Sequence, residues 1–445
     1  MNRTVVKFQT EALYQQLENQ LVDNQYGLVK PLQICYPNPG EPQLWITRAW
    51  LSYYDHDLGM NQFKLVGGGS SSSDKNQAKI SALCESVERY CLHANQSDII
   101  VDSYENLSKR FHLLNPADCP IFHPDQYPEV GFAEFTAVTK IAWAWTVALP
   151  EGTPVLVPAE FVYLRHPAHP EASTLMPTIS TGAACGSSAT DAVVRGIYEI
   201  VERDAMMIMW FNQHSAPRVK VDLQSDLGKF IHQNFRSPNL SPHLFWLATD
   251  LNIPAVMAIL IEGQQSDDRV VYVGLSAHLN PEQAVEGALR EAIEIRKSTQ
   301  LARPNMKRPL NTPEDVTTIY EHAHYYIEKD QTHLLDFLLT TPHTIDLSTV
   351  PNRATGNPQA DLKTCLSYCA KVGQPVFAAD ITKEDIRQTG LCIVRVVMPK
   401  MQRLTSNHNK PFLGNPRPFT LPVQLGWRPA PLSRAEINQA PHPFG

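Results

Sequence analysis

The sequence predicts a mixed α/β (α+β) fold, on three observations. Short β-rich runs recur from Ala142 to Leu149, Pro154 to Leu164, Pro254 to Ile261, Val270 to Leu275, Pro375 to Ala379 and Leu391 to Met398. Segments with a single apolar stripe at helical spacing lie among them. One loop-and-helix arrangement occurs twice, which marks an internal duplication with mixed sheets around it.

Residues 1 to about 60 read as a helix followed by a strand region broken by Pro31, Pro37, Pro39 and Pro42. Val66 to Ser73 (VGGGSSSS) then reads as a loop of minimal side chains. From Ala78 onward, Ile80, Leu83, Cys84, Val87 and Cys91 form one stripe, and Ser81, Glu85, Glu88 and Arg89 lie opposite. Shifting by 199 − 85 = 114 residues places Thr181 to Ser188 on that loop and Glu199, Glu202 and Arg203 on Glu85, Glu88 and Arg89. A third helix opens with Asn280 as N-cap, Pro281 in its first turn and Gln283 in capping-box position. It turns Arg290, Glu291 and Glu294 away from its apolar stripe. Trp143, Trp145, Met206, Met207 and Met209 read as core packing. From Lys410 the prolines accumulate, which disfavours helix and implies an extended tail, flexible by default. The expected units are a segment 1–60, a core 61–409 and a tail 410–445.

Composition narrows the function. A hydrophobic content of 43% supports a large core, and a net charge of −7 argues against general binding to nucleic acid or anionic membrane. Neither a secretory signal nor a membrane span is legible, and the eight cysteines lack CxxC pairs or zinc-like spacing, so a reducing cytoplasm is the expected setting.

The acidic pairs carry the chemistry. Residues three or four apart share a helical face, so Glu85, Glu88 and Arg89 can address one ligand, as can Glu199, Glu202 and Arg203. One Glu-x-x-Glu-Arg is ordinarily a solvated ion pair. Two copies behind matching small-residue loops, with a third acidic helix, ask for more than surface charge. Six converging carboxylates repel one another unless cations or protons intervene. Magnesium suits such a set, because it takes oxygen ligands and is shared between carboxylates and substrate phosphates. Arg89, Arg203 and Arg290 could meet phosphate oxygens, and backbone N–H groups of the small-residue loops could do the same. The glycines have neither the ending of a P-loop nor the order of a dinucleotide site.

Gly67 to Gly69 through Ser81 to Tyr90, and Thr181 to Gly186 through Glu199 to Asp204, resemble the YcaO family. Pro154 to Ala159, Thr249 to Leu260, Gly274 to Arg296, and Asp380 to Thr382 followed by Gly390 to Pro399 agree with it. The resemblance implies an enzyme that uses ATP and Mg2+ on a peptide backbone. It implies magnesium-linked Glu85, Glu199, Glu202 and Glu294, supported by Glu88 and Glu291. Arg89, Arg203 and Arg290 would hold phosphates, with Ser81, Ser187 and Asp191 near the nucleotide. Two departures stand out: Ser70 to Ser72 replace a loop lysine, leaving Lys75 or Lys79, and Glu294 stands where relatives often have Gln.

Asn438 to Gly445 (NQAPHPFG) is similar to the proline-rich end of azoline-forming members, the D proteins of thiazole/oxazole-modified peptide biosynthesis, although Gly445 replaces a terminal proline. That likeness implies catalytic roles for His442, Pro443 and Gly445. The expected reaction is ATP-dependent cyclodehydration of Cys, Ser or Thr in a ribosomal precursor peptide. An E1-like or leader-binding partner protein and a homodimer are expected with it. The alternatives are thioamide formation with a sulfur donor partner, an amidase with Cys185 as nucleophile at a helix start, and a non-catalytic scaffold.

Overall fold

Three strand-then-helix units organise the chain. In the computed structural model, which describes residues 3–52, 66–235, 237, 239–263, 269–302, 309–328 and 330–445, the strands of these units are Val66–Ser71, Ala183–Gly186 and Val270–Ala277. The helices that follow are Lys75–Cys91, Ala189–Phe211 and Pro281–Ala302, here the first, second and third acidic helices.

The small-residue segments expected as loops are therefore strands, and their composition answers to packing. A Cβ on Gly69 would stand 2.2 Å from the Ala78 carbonyl oxygen, and one on Gly274 would stand 2.2 Å from that of Ala288. Only glycine lets each helix lie so close on its own strand. The units also close on one another. The first acidic helix touches the second unit's strand, the second helix touches the third unit's strand, and the third helix touches the first unit's strand. This cyclic order turns the three acidic faces toward a common space.

The described strands form three sheets. Gln33–Cys35, Trp45–Trp50 and Val66–Ser71 make an antiparallel sheet, so the N-terminal segment and the core share hydrogen bonds across residue 60. A second sheet runs Val270–Ala277, Ala255–Glu262, Leu240–Leu247, Arg218–Lys220, Thr344–Asp346, antiparallel except for its last pair. The third runs Ile99–Ser103, Lys140–Leu149, Val376–Asp380, Cys392–Val397, Ala183–Gly186, with Thr153–Pro158 also on Lys140–Leu149. The second acidic helix packs against both larger sheets, which explains why Met206, Met207 and Met209 are buried along with most of its circumference. Trp143 is core, whereas Trp145 is 43% exposed with its ring edge-on to Phe111.

The third acidic helix starts where expected: Asn280 Oδ1 accepts the Glu282 N–H at 3.0 Å. The capping box is replaced, since the Asn280 N–H donates to His278 Nδ1 rather than to Gln283. The proline-rich end contains a helix, Arg417–Gln424, and it lies on the second acidic helix. Pro418 sits in its first turn, where no N–H is needed. Pro422 cannot bond the Pro418 carbonyl, and Asn212 Nδ2 donates to that oxygen instead at 2.9 Å. Among the described residues no helix is long and apolar enough to cross a membrane, and all eight cysteines are free.

Candidate functional site

The acidic pairs meet in a repeating pattern of hydrogen bonds. The first glutamate of each pair turns back onto its own strand or, for Glu199, onto the residue just before it. Glu85 accepts the Gly68 N–H at 2.7 Å, Glu199 the Gly182 N–H at 2.6 Å, and Glu291 the Leu275 N–H at 2.5 Å. The first two bonds are related by the same 114-residue shift as the sequence copies (182 − 68 = 114, 199 − 85 = 114). The second glutamate reaches forward. Glu202 accepts the Ala277 N–H of the third unit at 3.1 Å. Glu294 bonds Ser70 of the first unit, and a Cβ on Gly68 would lie 2.0 Å from its Oε1 and 3.6 Å from Glu85 Oε2. Gly68 is thus small because two carboxylates close over it. Glu88 faces Glu199 and Arg395.

Crowding shows in the ionisation of this ring. Burial pushes the Glu88 carboxyl well above its usual range against the pull of Arg89, and Glu199 and Glu85 add to the rise. Burial and then Glu291 do the same to Glu202. Burial raises Glu291 to about 8, and burial with Glu85 raises Glu294 to about 7. Charge on this ring is disfavoured until something compensates it.

The arginines are placed between the acids. Arg89 pairs with Glu85 at 3.1 Å and Arg203 with Glu199 at 2.7 Å. Arg203 Nη1 also donates to Thr181 Oγ1 at 2.6 Å, and Arg290 Nη1 to the Ser70 carbonyl at 3.2 Å. Burial would lower the Arg89 pKa, but Glu85 and Glu88 outweigh it and raise it. Arg203 Nε and Arg290 Nε are buried with no hydrogen-bond partner. Donors left idle beside crowded carboxyls fit a ligand that brings anionic oxygens together with cations, which is the chemistry of a magnesium-bound polyphosphate. Among the described residues no three His, Cys, Asp or Glu groups are already arranged as a metal cage, and magnesium commonly completes its shell with substrate oxygens and water.

The family model described as YcaO cyclodehydratase, ATP- and Mg2+-binding, matches residues 69–402, and all three acidic helices fall inside it. The chain belongs to the YcaO family. ATP and Mg2+ are its cofactors, in line with the donor set just described. Among curated relatives, an uncharacterized protein of Methanothermobacter thermautotrophicus is 25% identical over 334 residues, covering 74% of this chain and 79% of that protein. A protein of the tfuA 3′ region of Rhizobium leguminosarum bv. trifolii is 27% identical over 240 residues, covering 50% of this chain and 53% of that protein. Among solved structures, a heterocyclase in complex with substrate and cofactor superposes with a TM-score of 0.82 at 25% identity. It is matched over 98% of this chain, which spans only 57% of the heterocyclase. A YcaO protein from Methanopyrus kandleri bound with AMPPCP and Mg2+ shares the fold, with a TM-score of 0.63 at 19% identity over 89% of this chain and 91% of that one.

Within this YcaO fold the six glutamates and Arg89, Arg203 and Arg290 are brought together as the sequence suggested. Ser81 lies on the strand-facing side of the first acidic helix, its Cβ within 2.9 Å of a Cβ built on Gly69. Ser187 and Asp191 are not part of the ring. They sit at the solvent end of the second acidic helix, where Asp191 accepts the Ser187 N–H and pairs with Arg195 at 3.0 Å. Eight residues separate Asp191 from Glu199, roughly 12 Å along the axis.

The chain end does reach this region. Phe444 is 3% exposed, and the Arg203 guanidinium lies 5.9 Å from its ring centre. Pro443 is buried. Gly445 packs on Ile319 and Ala323, and Tyr320, next to Ile319, lies within the fields of Arg89 and Glu85. His442 is engaged elsewhere. Its Nε2 is 2.7 Å from the Thr405 carbonyl, its ring stacks on His322 at 3.7 Å, and burial lowers its pKa to about 4. That makes it a packing residue rather than a proton carrier.

Cys185 lies within a strand, not at a helix start. Contact with the Cys84 thiol, then burial, pushes its own thiol well above the usual range, which is opposite to what a thiolate nucleophile requires.

Arg395 escaped the sequence reading. It is buried in strand Cys392–Val397, faces Glu199 and Glu88, and donates to the carbonyls of Phe161 at 2.9 Å and Ile179 at 2.8 Å. The signal was a lone arginine in an apolar strand run, CIVRVV. Trp210, Tyr326 and His322, which grip the chain end, gave no such signal.

Proposed function

We propose that the protein catalyses ATP-dependent cyclodehydration of Cys, Ser or Thr residues in a ribosomally made peptide, forming thiazoline or oxazoline rings. The observation that carries this reading is the course of the chain end, which lays Phe444 against Arg203 and leaves Gly445 beside helix Ile319–Glu328, whose Tyr320 lies within the fields of Arg89 and Glu85. The likeness to a heterocyclase solved with substrate and cofactor supports it.

The peptide's thiol or hydroxyl adds to the preceding amide carbonyl, and the carbonyl oxygen becomes an oxyanion. ATP with Mg2+, when bound, supplies the phosphoryl group that converts this oxygen into a leaving group. Glu85, Glu199, Glu202 and Glu294 would hold the metal, with Glu88 and Glu291 behind them. Arg89, Arg203 and Arg290 hold the phosphates, Ser81 borders the nucleotide from the first helix, and Ser187 and Asp191 serve its outer end. The Gly445 carboxylate accepts the proton released from the attacking thiol or hydroxyl, and the C=N bond of the ring then forms as the phosphorylated oxygen leaves as phosphate and the amide nitrogen gives up its N–H proton. Pro443 and His442 fix the direction of the last residues.

An E1-like or leader-binding partner protein presents the peptide, and the enzyme works as a homodimer in the cytoplasm. The test is the mass of candidate precursor after incubation with the protein, the partner, ATP and Mg2+. Loss of one water per ring, with ADP release that depends on peptide, is expected. An unchanged mass with every component present defeats the reading. The relative from a tfuA 3′ region favours a second reading, exchange of the amide oxygen for sulfur from a donor partner. The same experiment with the sulfur donor added gives the mass gain of that exchange if this second reading holds.

A further inference from the structure

Apart from the carboxylate ring, a cavity of about 180 Å3 opens between the 116–135 segment and the end of strand Thr153–Pro158. Phe122, Phe161, Leu175 and Met176 form its buried floor. Ala117, Pro124 and Glu134 are exposed at its mouth. Apart from Glu134 at the mouth, the carboxyl in this largely aromatic and aliphatic lining is that of Glu160, which is 1% exposed.

That carboxyl is only half satisfied. One oxygen, Oε1, accepts the Leu175 N–H at 3.3 Å, whereas Oε2 is buried with no hydrogen-bond partner. Buried polar atoms are nearly always paired, so an idle oxygen on a buried side chain that borders an apolar cavity marks a place where a ligand's polar group belongs. Arg403 supplies no bond to it but lies behind the cavity wall, its guanidinium 4.0 Å over the Phe161 ring.

We propose that this cavity binds one hydroxylated aromatic ring, a phenol, with its hydroxyl against Glu160 Oε2. Size limits the ligand to a single ring, since an apolar cavity of about 150 Å3 accommodates benzene. The aromatic floor offers edge-to-face contacts to such a ring. A hydroxyl is the polar group that fits both forms of Glu160, because it donates to a carboxylate and accepts from a carboxylic acid. Burial raises this carboxyl. Indole N–H only donates and suits one form alone.

The ring comes either from a free small phenol or from a tyrosine side chain of a peptide. The cavity stands apart from the carboxylate ring yet borders it through one residue, since the Phe161 carbonyl accepts Arg395 Nε and Arg395 faces Glu199.

The test is titration of the full-length protein with phenol, toluene and N-acetyl-tyrosinamide, read from the Met176 methyl resonance. Phenol is expected to bind saturably and about fivefold or more tightly than toluene, the gain of one buried hydrogen bond. Glu160→Met is expected to keep toluene binding and lose the preference for phenol. Ala117→Trp, at an exposed position on the mouth, is expected to block both. Binding of N-acetyl-tyrosinamide as well as phenol assigns the site to a peptide side chain, and binding of phenol alone assigns it to a free small molecule. The proposal is overturned if neither ring compound binds, if toluene matches phenol, or if the preference survives Glu160→Met. Should Glu160→Met fail to fold, the phenol-to-toluene ratio and Ala117→Trp decide.

Discussion

Arg203 and Asp204 are neighbours on one helix and belong to two opposite kinds of acidic cluster. Asp204 faces Asp250 across Arg417. Arg417 Nε and Nη2 reach the two Asp204 oxygens at 2.8 and 2.9 Å, and Nη1 and Nη2 reach the two Asp250 oxygens at 2.9 and 2.6 Å. The Gln402 N–H adds a bond to Asp204 at 2.7 Å. That cluster is complete, and it ties the proline-rich end to the core. The ring on the Arg203 side is incomplete, because Arg203 Nε, Arg290 Nε and Arg395 Nη1 are buried without hydrogen-bond partners. Buried charge that is fully paired holds a fold together, and buried charge left partly idle waits for a ligand.

The largest expected effect breaks the complete cluster. Arg417→Met leaves Asp204 and Asp250 without their cation, and should lower unfolding stability by about 3–5 kcal/mol in a denaturant titration. The matching change on the other side is Glu202→Gln. It removes a carboxyl that burial already disfavours as an anion, so stability should stay level or rise. ATP turnover should fall by about 100-fold or more, because a carboxylate that would hold Mg2+ against the phosphates is gone. Full turnover in Glu202→Gln, or an unfolded Glu202→Gln, would erase the distinction between the two clusters.

This contrast was half visible in the sequence. The Glu-x-x-Glu repeats, their 114-residue spacing and the third acidic helix could be read because a helical period fixes which residues share a face. Lys140–Leu149, Thr153–Pro158, Ala255–Glu262, Val270–Ala277, Val376–Asp380 and Cys392–Val397 were legible for the same kind of reason, as apolar stretches bounded by Pro, Gly and polar residues, whereas Ile99–Ser103 and Leu240–Leu247 were not read. Val66–Ser71 and Ala183–Gly186 were not, since a strand of glycine, alanine and serine has no hydrophobic pattern and owes its place to the helix lying on it. Arg417 was hidden in a proline-rich stretch whose helix packs on the second acidic helix and has Asn212 serving the carbonyl that Pro422 abandons. Glu160 was likewise just a lone acid within the run from Pro154 to Leu164. Long-range partners decide such positions, and spacing along the chain says nothing about them.

The pH response of the ring follows from its raised carboxyls. Glu291 and Glu294 ionise near 8 and 7 in the fold against 4.5 for an ordinary glutamate. The fold therefore holds protons that the unfolded chain releases. This contribution to stability is full below about pH 4.5 and is lost as pH rises through about 7 to 8. The nucleotide-free protein should melt at a lower temperature at about pH 8.5 than at about pH 5.5, by thermal shift. Mg2+ with a non-hydrolysable ATP analogue should raise the melting temperature more at the higher pH, where the cation meets ionised ligands. Equal shifts at both pH values would mean that the ring does not receive the metal.

The smallest effect sharpens the comparison at the point where the complete cluster hands the chain on to the incomplete ring. Beyond Arg417 the chain returns to the second acidic helix, and three side chains meet three successive carbonyls: Trp210 Nε1 donates to Ala440 at 2.9 Å, Tyr326 Oη to Pro441 at 2.5 Å, and His322 Nδ1 lies 3.1 Å from His442. Pro441 and Pro443 have no N–H to give, so carbonyls are what this segment offers for gripping. Tyr326→Phe leaves the Pro441 carbonyl without its donor, at about 1–3 kcal/mol, most of it local to the tail. Gly445→Ala acts further on, because a Cβ there would stand 2.6 Å from Ala323 Cβ and must displace the terminal carboxylate. Both should lower the turnover number for peptide modification by about tenfold while leaving the KM for ATP unchanged, since the carboxylates and arginines that hold nucleotide are untouched. A rise in that KM instead would place the chain end in nucleotide binding. An unchanged turnover number would remove Gly445 from the chemistry and leave the tail with the structural role that Arg417 already has.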